Sequence, residues 1–197
     1  MALPDPPDVA ADHELSKQAV KADSSPMPAR IELRDHNPSW PRLYAREAAR
    51  IRSALGERVV RLEHAGSTSV PGLAAKPIID IVLEVPDAAE EATYLPAMEA
   101  AGYGLRLREP SWFQHRLLKG PDTDINLHVF SAHCPETDRM LLFRDWLRAH
   151  AGDRDLYVRT KRELAAQDWG SVQQYADAKT TVIGEILARA QGTDAPS

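Results

Sequence analysis

From Trp40 onward the large apolar residues recur at helical spacing. Trp40, Tyr44, Ala48, Ile51 and Leu55 fall on one stripe, and Gly56 closes it. Ser39 stands where a helix takes its N-cap, and Pro41 falls in the first turn, where a missing N–H costs nothing. The period then changes. Arg58–Glu63 alternates as a strand does, and a Gly/Ser/Pro loop follows it. Ile78–Val85 is a nearly continuous β-branched run, the pattern of a central strand covered on both faces. Asp87 to Ala101 reads as a helix ended near Gly102. Three short strands are predicted around Gly104–Leu107, Trp112–Leu118 and Ile125–Phe130, with Gly120-Pro121-Asp122 turning the second into the third. After Pro135 the spacing is helical to the end. Met140, Phe143 and Leu147 form one stripe, Leu156 and Leu164 belong to a second helix, and Val172, Tyr175, Ile183 and Leu187 to a third. A short strand at Ile31-Glu32-Leu33 opens the ordered part. The sum is an α/β (α+β) domain, a mixed sheet with flanking helices and a helical C-terminal part.

The ends are different. Residues 1–30 are rich in Pro, Ala, Asp and Ser and hold almost no large apolar side chain. Such a segment buries too little surface to offset its ordering entropy. It is expected to be a disordered tail with at most a transient helix around Glu14–Lys21. One domain is expected over residues 31–190, with a flexible tail over 191–197.

Composition narrows the class. A chain of 197 residues that is 43% hydrophobic and 27% charged is an ordinary globular protein. A formal net charge of -5 argues against a general nucleic-acid binder, yet leaves room for a local basic pocket. Cys134 is the only cysteine, so no internal disulfide forms. No run approaches the roughly 20 apolar residues of a membrane helix, and no basic patch precedes an apolar run at the N-terminus. A cytoplasmic protein without membrane contact is expected, of unknown oligomeric state.

The candidate chemistry sits between His64 and Asp80. Gly66 lets backbone approach a ligand closely. Ser67, Thr68 and Ser69 offer hydroxyls and amides at a helical turn, which suits phosphate. Lys76 adds a cation, and Asp80 at the start of a strand suits a divalent metal. Together these describe phosphoryl or nucleotidyl transfer. The same pattern fits a tight turn capped by Ser and Thr, with Asp80 held by backbone amides.

The run Glu63-His64-Ala65-Gly66-Ser67-Thr68-Ser69-Val70-Pro71-Gly72-Leu73-Ala74-Ala75-Lys76-Pro77-Ile78-Ile79-Asp80-Ile81 closely resembles the signature of the GrpB family. Pro38, Trp40, Tyr44 and Glu47 resemble its opening helix, and Asn126-Leu127-His128-Val129-Phe130 its His-bearing strand. Phe143-Arg144-Asp145-Trp146-Leu147-Arg148, Tyr157, Lys161, Tyr175, Ala178 and Lys179 resemble its helical half, so the likeness spans about Ile31 to Ala190. The resemblance implies the nucleotidyltransferase fold. It also implies kinship with a domain fused to dephospho-CoA kinase in some bacteria. That fold's usual motif is Gly-Ser, then two carboxylates two residues apart on a strand, then a third on a neighbouring strand. The three hold two metal ions.

The sequence departs from this motif. Gly66-Ser67 and Asp80 fit, but the next carboxylate position is Val82. Glu84 shares that face but lies about 13 Å from Asp80 along the strand at ~3.3 Å per residue, too far to share one ion. His128 or Asn126 stands where the third carboxylate is expected. Asp80, His115 and His128 would make a mixed nitrogen and oxygen site, better suited to Mn²⁺ or Zn²⁺ than to a pure Mg²⁺ pair. The histidines also fit simple cross-strand hydrogen bonding. In the helical half, Arg144 and Arg148, Tyr157 and Lys161, and Tyr175 and Lys179 are each four apart. These faces fit either a polyphosphate and base pocket or solvated surface.

The leading expectation is a metal-dependent nucleotidyltransferase that moves a nucleoside monophosphate from a triphosphate donor to a small acceptor. Asp80 and His128 would be catalytic. Gly66, Ser67, Thr68, Ser69, Lys76, Arg144, Lys161 and Lys179 would hold the nucleotide phosphates. The alternative, favoured by Val82, is a non-catalytic nucleotide- or CoA-precursor-binding regulatory module. A third reading is a metal-dependent hydrolase built on the same pocket.

Overall fold

The computed structural model describes residues 18–19 and 31–192. The expected tails fall outside these residues, except for Gln18–Ala19, which forms a two-residue strand, and Gln191-Gly192, which form a turn. A six-stranded sheet runs in the order β1-β4-β5-β6-β3-β2. Its strands are β1 (Gln18–Ala19), β2 (Arg61–Ala65), β3 (Ile79–Val85), β4 (Gly104–Glu109), β5 (His115–Lys119) and β6 (Ile125–Ser131). The helices are α1 (Trp40–Leu55), α2 (Leu95–Ala100), α3 (Pro135–Ala149), α4 (Ala151–Ala165), α5 (Val172–Asp177) and α6 (Thr180–Ala190). The mixed sheet, flanking helices and helical C-terminal part are those the pattern predicts.

β3 is interior, paired antiparallel with β2 and parallel with β6. Alternation along it builds two environments. Ile79, Ile81, Leu83 and Val85 enter the main core with Ile51, Leu55, Tyr94 and Met98 from the α1 and α2 side. Asp80, Val82 and Glu84 face the opposite side, in register with Asn126, His128 and Phe130 of β6. A second cluster lies there. Val70 and Leu73 of the loop after β2 pack against Leu147, Tyr157, Val182 and Ile186 of the C-terminal helices. These helices therefore clamp the loop, and the space between loop, helices and sheet is the site.

Several boundaries differ from the sequence pattern. Ile31–Leu33 is extended but unpaired, and only Arg34 bridges, to Ala75. Ile31 is instead a buried side chain. Ser39 precedes α1 with helical dihedrals and makes no capping bond, while its own N–H donates to Asn37 Oδ1 at 2.9 Å. The helix over 87–101 shrinks to a 3₁₀ turn at Glu91–Thr93 and the six residues of α2. β5 starts at His115 because Phe113 and Gln114 have positive φ, which turns the chain before it can pair. The third C-terminal helix is two, broken at Ala178-Lys179.

Candidate functional site

β2 delivers the chain to Gly66, whose φ of 64° and ψ of -172° are open only to glycine. A Cβ at Gly66 would overlap Asp80 Oδ2, so the glycine also makes room for that carboxylate. A 3₁₀ turn, Ser67–Ser69, follows. Two of its three hydroxyls are used in holding the loop. Ser69 Oγ donates to the Gly66 carbonyl at 2.6 Å. Thr68 Oγ1 donates to the Ile78 carbonyl at 3.1 Å, and so accepts from His64 Nε2, also at 3.1 Å. His64 stacks on Tyr44 with ring centroids 4.8 Å apart. Burial pushes its pKa down to about 4 against the pull of Asp80, and Arg148 and Arg144 add to the fall. His64 is thus a neutral clamp on the loop.

Ser67 is the hydroxyl of the turn that meets a lysine. Lys161, on α4, is 3% exposed. Its Nζ lies 2.9 Å from Ser67 Oγ and 2.7 Å from the Ala74 carbonyl, 5.2 Å above the Tyr157 ring. Lys76 Nζ and Lys179 Nζ stand 5.7 and 4.6 Å from the Tyr175 ring centroid. None of the three lysines forms an ion pair with a carboxylate among the described residues. Burial lowers all three: Lys161 to about 7, helped by Lys179 and Lys76, and Lys179 to about 8, helped by Lys76. Asp80 partly holds each of them up, joined by Asp124 at Lys76 and by Asp177 at Lys179.

Asp80 is 28% exposed. Asn126 Nδ2 donates to its Oδ1 at 2.9 Å, and His128 Nε2 lies 3.7 Å from the same oxygen. Desolvation raises its pKa, but His128, Asn126 and Lys76 outweigh this, and the carboxyl sits below its ordinary value. Behind it the side chains of four strands continue in contact. His128 Nδ1 meets His115 Nε2 at 3.1 Å, and His115 Nδ1 meets Glu109 Oε2 at 2.6 Å.

The donor set does not fit a two-ion centre. Val82 is fully buried against Ala65, Phe130 and Cys134. Glu84 is 2% exposed and points at Arg61 and the His133 amide. The three candidate ligands do not converge on a common point, since His115 turns one ring nitrogen to Glu109 and the other to His128. No group of three or more His, Cys, Asp or Glu among the described residues is arranged for a metal ion.

The arginines on α3 act as struts. Arg144 Nη1 donates to Glu63 Oε2 at 2.8 Å and to the His64 carbonyl at 3.0 Å, while Nε and Nη2 hold Asp145. Arg148 Nε and Nη2 donate to the Ser69 carbonyl at 3.2 and 2.9 Å.

Two adjoining pockets share Ser67, Asp80 and Lys179. One is polar and cationic, completed by Lys76, Lys161 and Asn126. The other is more apolar, with Val70, Phe143, Leu147, Tyr157 and Ile183. Gly66, Ser67, Thr68, Lys76, Asp80, Arg144, Lys161 and Lys179 are therefore brought to one cleft, with His128 at its edge behind Asp80 and Ser69 turned away into the loop. Sequence reasoning did not find Glu109, whose only signal is its register opposite His115 in the β4–β5 pair. It also passed over the apolar half, whose residues read as ordinary helix core.

Comparison with known proteins places this architecture. A family model described as GrpB protein matches residues 30–189. The chain is 58% identical to the UPF0157 protein BH1888 of Halalkalibacterium halodurans, over 92% of this chain and 93% of that one. It is 28% identical to a dephospho-CoA kinase of Mycolicibacterium paratuberculosis, over 90% of this chain but 49% of that enzyme. The crystal structure of conserved protein GrpB from Enterococcus faecalis superposes with a TM-score of 0.68 at 29% identity, covering 82% of this chain and 98% of that one. The chain belongs to the GrpB family.

Proposed function

We propose that the cleft binds a nucleotide-type ligand, with its polyphosphate among Lys76, Lys161 and Lys179 and its less polar part along Phe143, Leu147 and Ile183. One observation carries this reading. Three lysines converge on one pocket, and no carboxylate pairs with any of them among the described residues. Gathering like charges in a half-buried space is unfavourable in itself, as their lowered pKa values reflect. A bound polyanion reverses that cost, because Lys76 and Lys179 gain the counter-charge they lack. The aromatic face of Tyr175 holds their ammonium groups meanwhile.

The adjoining apolar pocket supports a nucleotide over a bare phosphate. Asp80 lies where the two pockets meet, suited to a ligand hydroxyl or base N–H rather than to phosphate. The kinship with dephospho-CoA kinases agrees with a ligand of this class, though the activity of those enzymes belongs to chains about twice the matched length.

Nucleotidyl transfer from a triphosphate donor is a second reading, favoured by Ser67, which faces the polar pocket from a glycine-preceded turn. It is not routed here through paired metal ions, for which the donor set is unsuited.

A thermal-shift series tests the binding reading. Inorganic triphosphate, nucleoside triphosphates and CoA precursors are compared at equal concentration. A ligand at about 100 times its Kd adds about 2.7 kcal/mol to native stability. Nucleotides are expected to raise Tm more than inorganic triphosphate, since only they fill both pockets. No rise with any of them overturns the reading.

A further inference from the structure

The three lysines do not play the same part. Lys76 and Lys179 stand beside the Tyr175 ring on the polar pocket. Lys161 is 3% exposed and reaches two protein oxygens only, Ser67 Oγ at 2.9 Å and the Ala74 carbonyl at 2.7 Å. An ammonium in so buried a place is normally matched by a carboxylate. A neutral amine needs no such partner. It keeps two hydrogens and one lone pair. One hydrogen serves the Ala74 carbonyl, which accepts only. Toward Ser67 Oγ, which also hydrogen-bonds Tyr157, the ammonium donates, whereas the neutral amine can turn its lone pair to accept the hydroxyl hydrogen. The 2.9 Å separation is within reach for a serine activated by a lysine base, a variant of the nucleophile and base pairs found on unrelated folds.

The placement of Ser67 agrees. It follows Gly66 on a turn pinned by Ser69, Thr68 and Arg148, so its hydroxyl is held while its neighbours' are engaged. It also lies where both pockets meet.

We propose that Ser67 Oγ is a nucleophile, with neutral Lys161 as its general base, and that it attacks the phosphorus of a phosphoanhydride held in the cleft. The Ser67 Oγ–P bond forms and the P–O bond to the departing pyrophosphate breaks. The hydroxyl proton moves to Lys161 Nζ, and the serine is left carrying the nucleoside monophosphate. The new ammonium forms beside the phosphoryl charge, which favours its taking the proton. Lys76 and Lys179 face the leaving group as cations. The choice of a phosphoanhydride rests on the polyphosphate-binding reading, whereas the pairing of Ser67 with Lys161 does not.

The charged and titratable groups around Lys161 are Lys76 from the loop, Asp80 from β3, Tyr157 from its own helix, Tyr175 from α5 and Lys179 before α6. Burial, Lys179 and Lys76 all favour the neutral amine, and Asp80 alone opposes them.

The test uses an uncharged fluorophosphonate probe, which leaves lysine charge undisturbed and reports serine nucleophilicity directly. Here the Oγ–P bond forms, fluoride leaves, and the proton again goes to Lys161. Mass mapping is expected to find the label on Ser67, at a rate that rises with pH through about 7 as Lys161 deprotonates. Ser67→Ala removes the label. Lys161→Arg keeps a cation but has no free lone pair, and lowers the rate about a hundredfold or more, the scale of general-base catalysis. If Lys161→Arg does not fold, the pH profile of the unaltered chain still decides. A rate flat from pH about 6 to about 8, or label absent from Ser67, overturns the proposal. Inorganic triphosphate is titrated in parallel. Stabilisation without labelling retires the nucleophile and keeps the binding reading, and labelling without stabilisation does the reverse.

Discussion

Gly66 and Asp80 constrain one another. The backbone at Gly66 occupies a region closed to other residues, and its missing Cβ is the space Asp80 Oδ2 fills. Gly66→Ala is therefore expected to cost stability on the order of 1–3 kcal/mol from backbone strain. It also displaces the Asp80 carboxylate from Asn126. A urea midpoint unchanged by this substitution would contradict the geometry. The buried lysines make a second prediction. Their folded pKa values, about 7 for Lys161 and about 8 for Lys179, lie below the ordinary 10.5. The unfolded chain thus binds more protons than the folded one from about pH 7 upward, and stability rises with pH across that window. The Cys134 thiol, raised by burial from 9.0, pulls the other way only above that value. The urea midpoint is expected to climb between pH about 7 and about 9, and a falling midpoint would contradict the account. At this scale the sequence was informative about Gly66, Ser67, Lys76, Asp80, Lys161 and Lys179, because residue type and the family signature point to a shared site. It was silent on which hydroxyl of Ser67-Thr68-Ser69 faces the cleft, since that depends on the carbonyls of Gly66 and Ile78.

Among the elements, α3 does the most to shape the site. Arg144 and Arg148 share a face, as their spacing requires, and that face meets the carbonyls of His64 and Ser69, while Arg144 also lines the less polar pocket. The spacing was legible and the carbonyl partners were not. A guanidinium serves a phosphate and a backbone carbonyl equally well, and only packing decides between them. Arg148→Ala is expected to cost about 1.5–3 kcal/mol, the scale of hydrogen bonds to a charged group. It should also speed amide hydrogen exchange at Ser69 and Val70, whose N–H groups donate to Gly66 and Ser67 within the turn. Unaltered exchange there would show that the turn stands without the strut. The shortened α2 and the divided C-terminal helix were missed for a related reason. An apolar stripe marks a buried face, but it does not say where hydrogen bonding breaks, as at Ala178-Lys179. That break leaves Lys179 beside the Tyr175 ring, where an unbroken helix would carry it only by its spacing.

At the scale of the molecule, one face of the sheet is covered by the main core with α1 and α2, and the C-terminal helices cover the loop after β2 on the other. The cleft is the space that second arrangement leaves. This division was readable from β3, whose continuous apolar run calls for cover on both sides, though not from which helices supply it. The charge is divided too. The chain carries a net -5, yet Lys76, Lys161 and Lys179, with no carboxylate partner among the described residues, gather in one place. A polyanion is what that place lacks, and this is the central claim. The most direct test is calorimetric titration of inorganic triphosphate into the unaltered chain and into Lys179→Met. This substitution removes the charge but keeps an apolar chain against Tyr175. The account predicts saturable binding at pH about 7 that weakens as pH rises past about 8, where Lys179 loses its proton, and binding at least about tenfold weaker in Lys179→Met. Binding that is absent in the unaltered chain, or equal in both proteins and indifferent to pH, would contradict it.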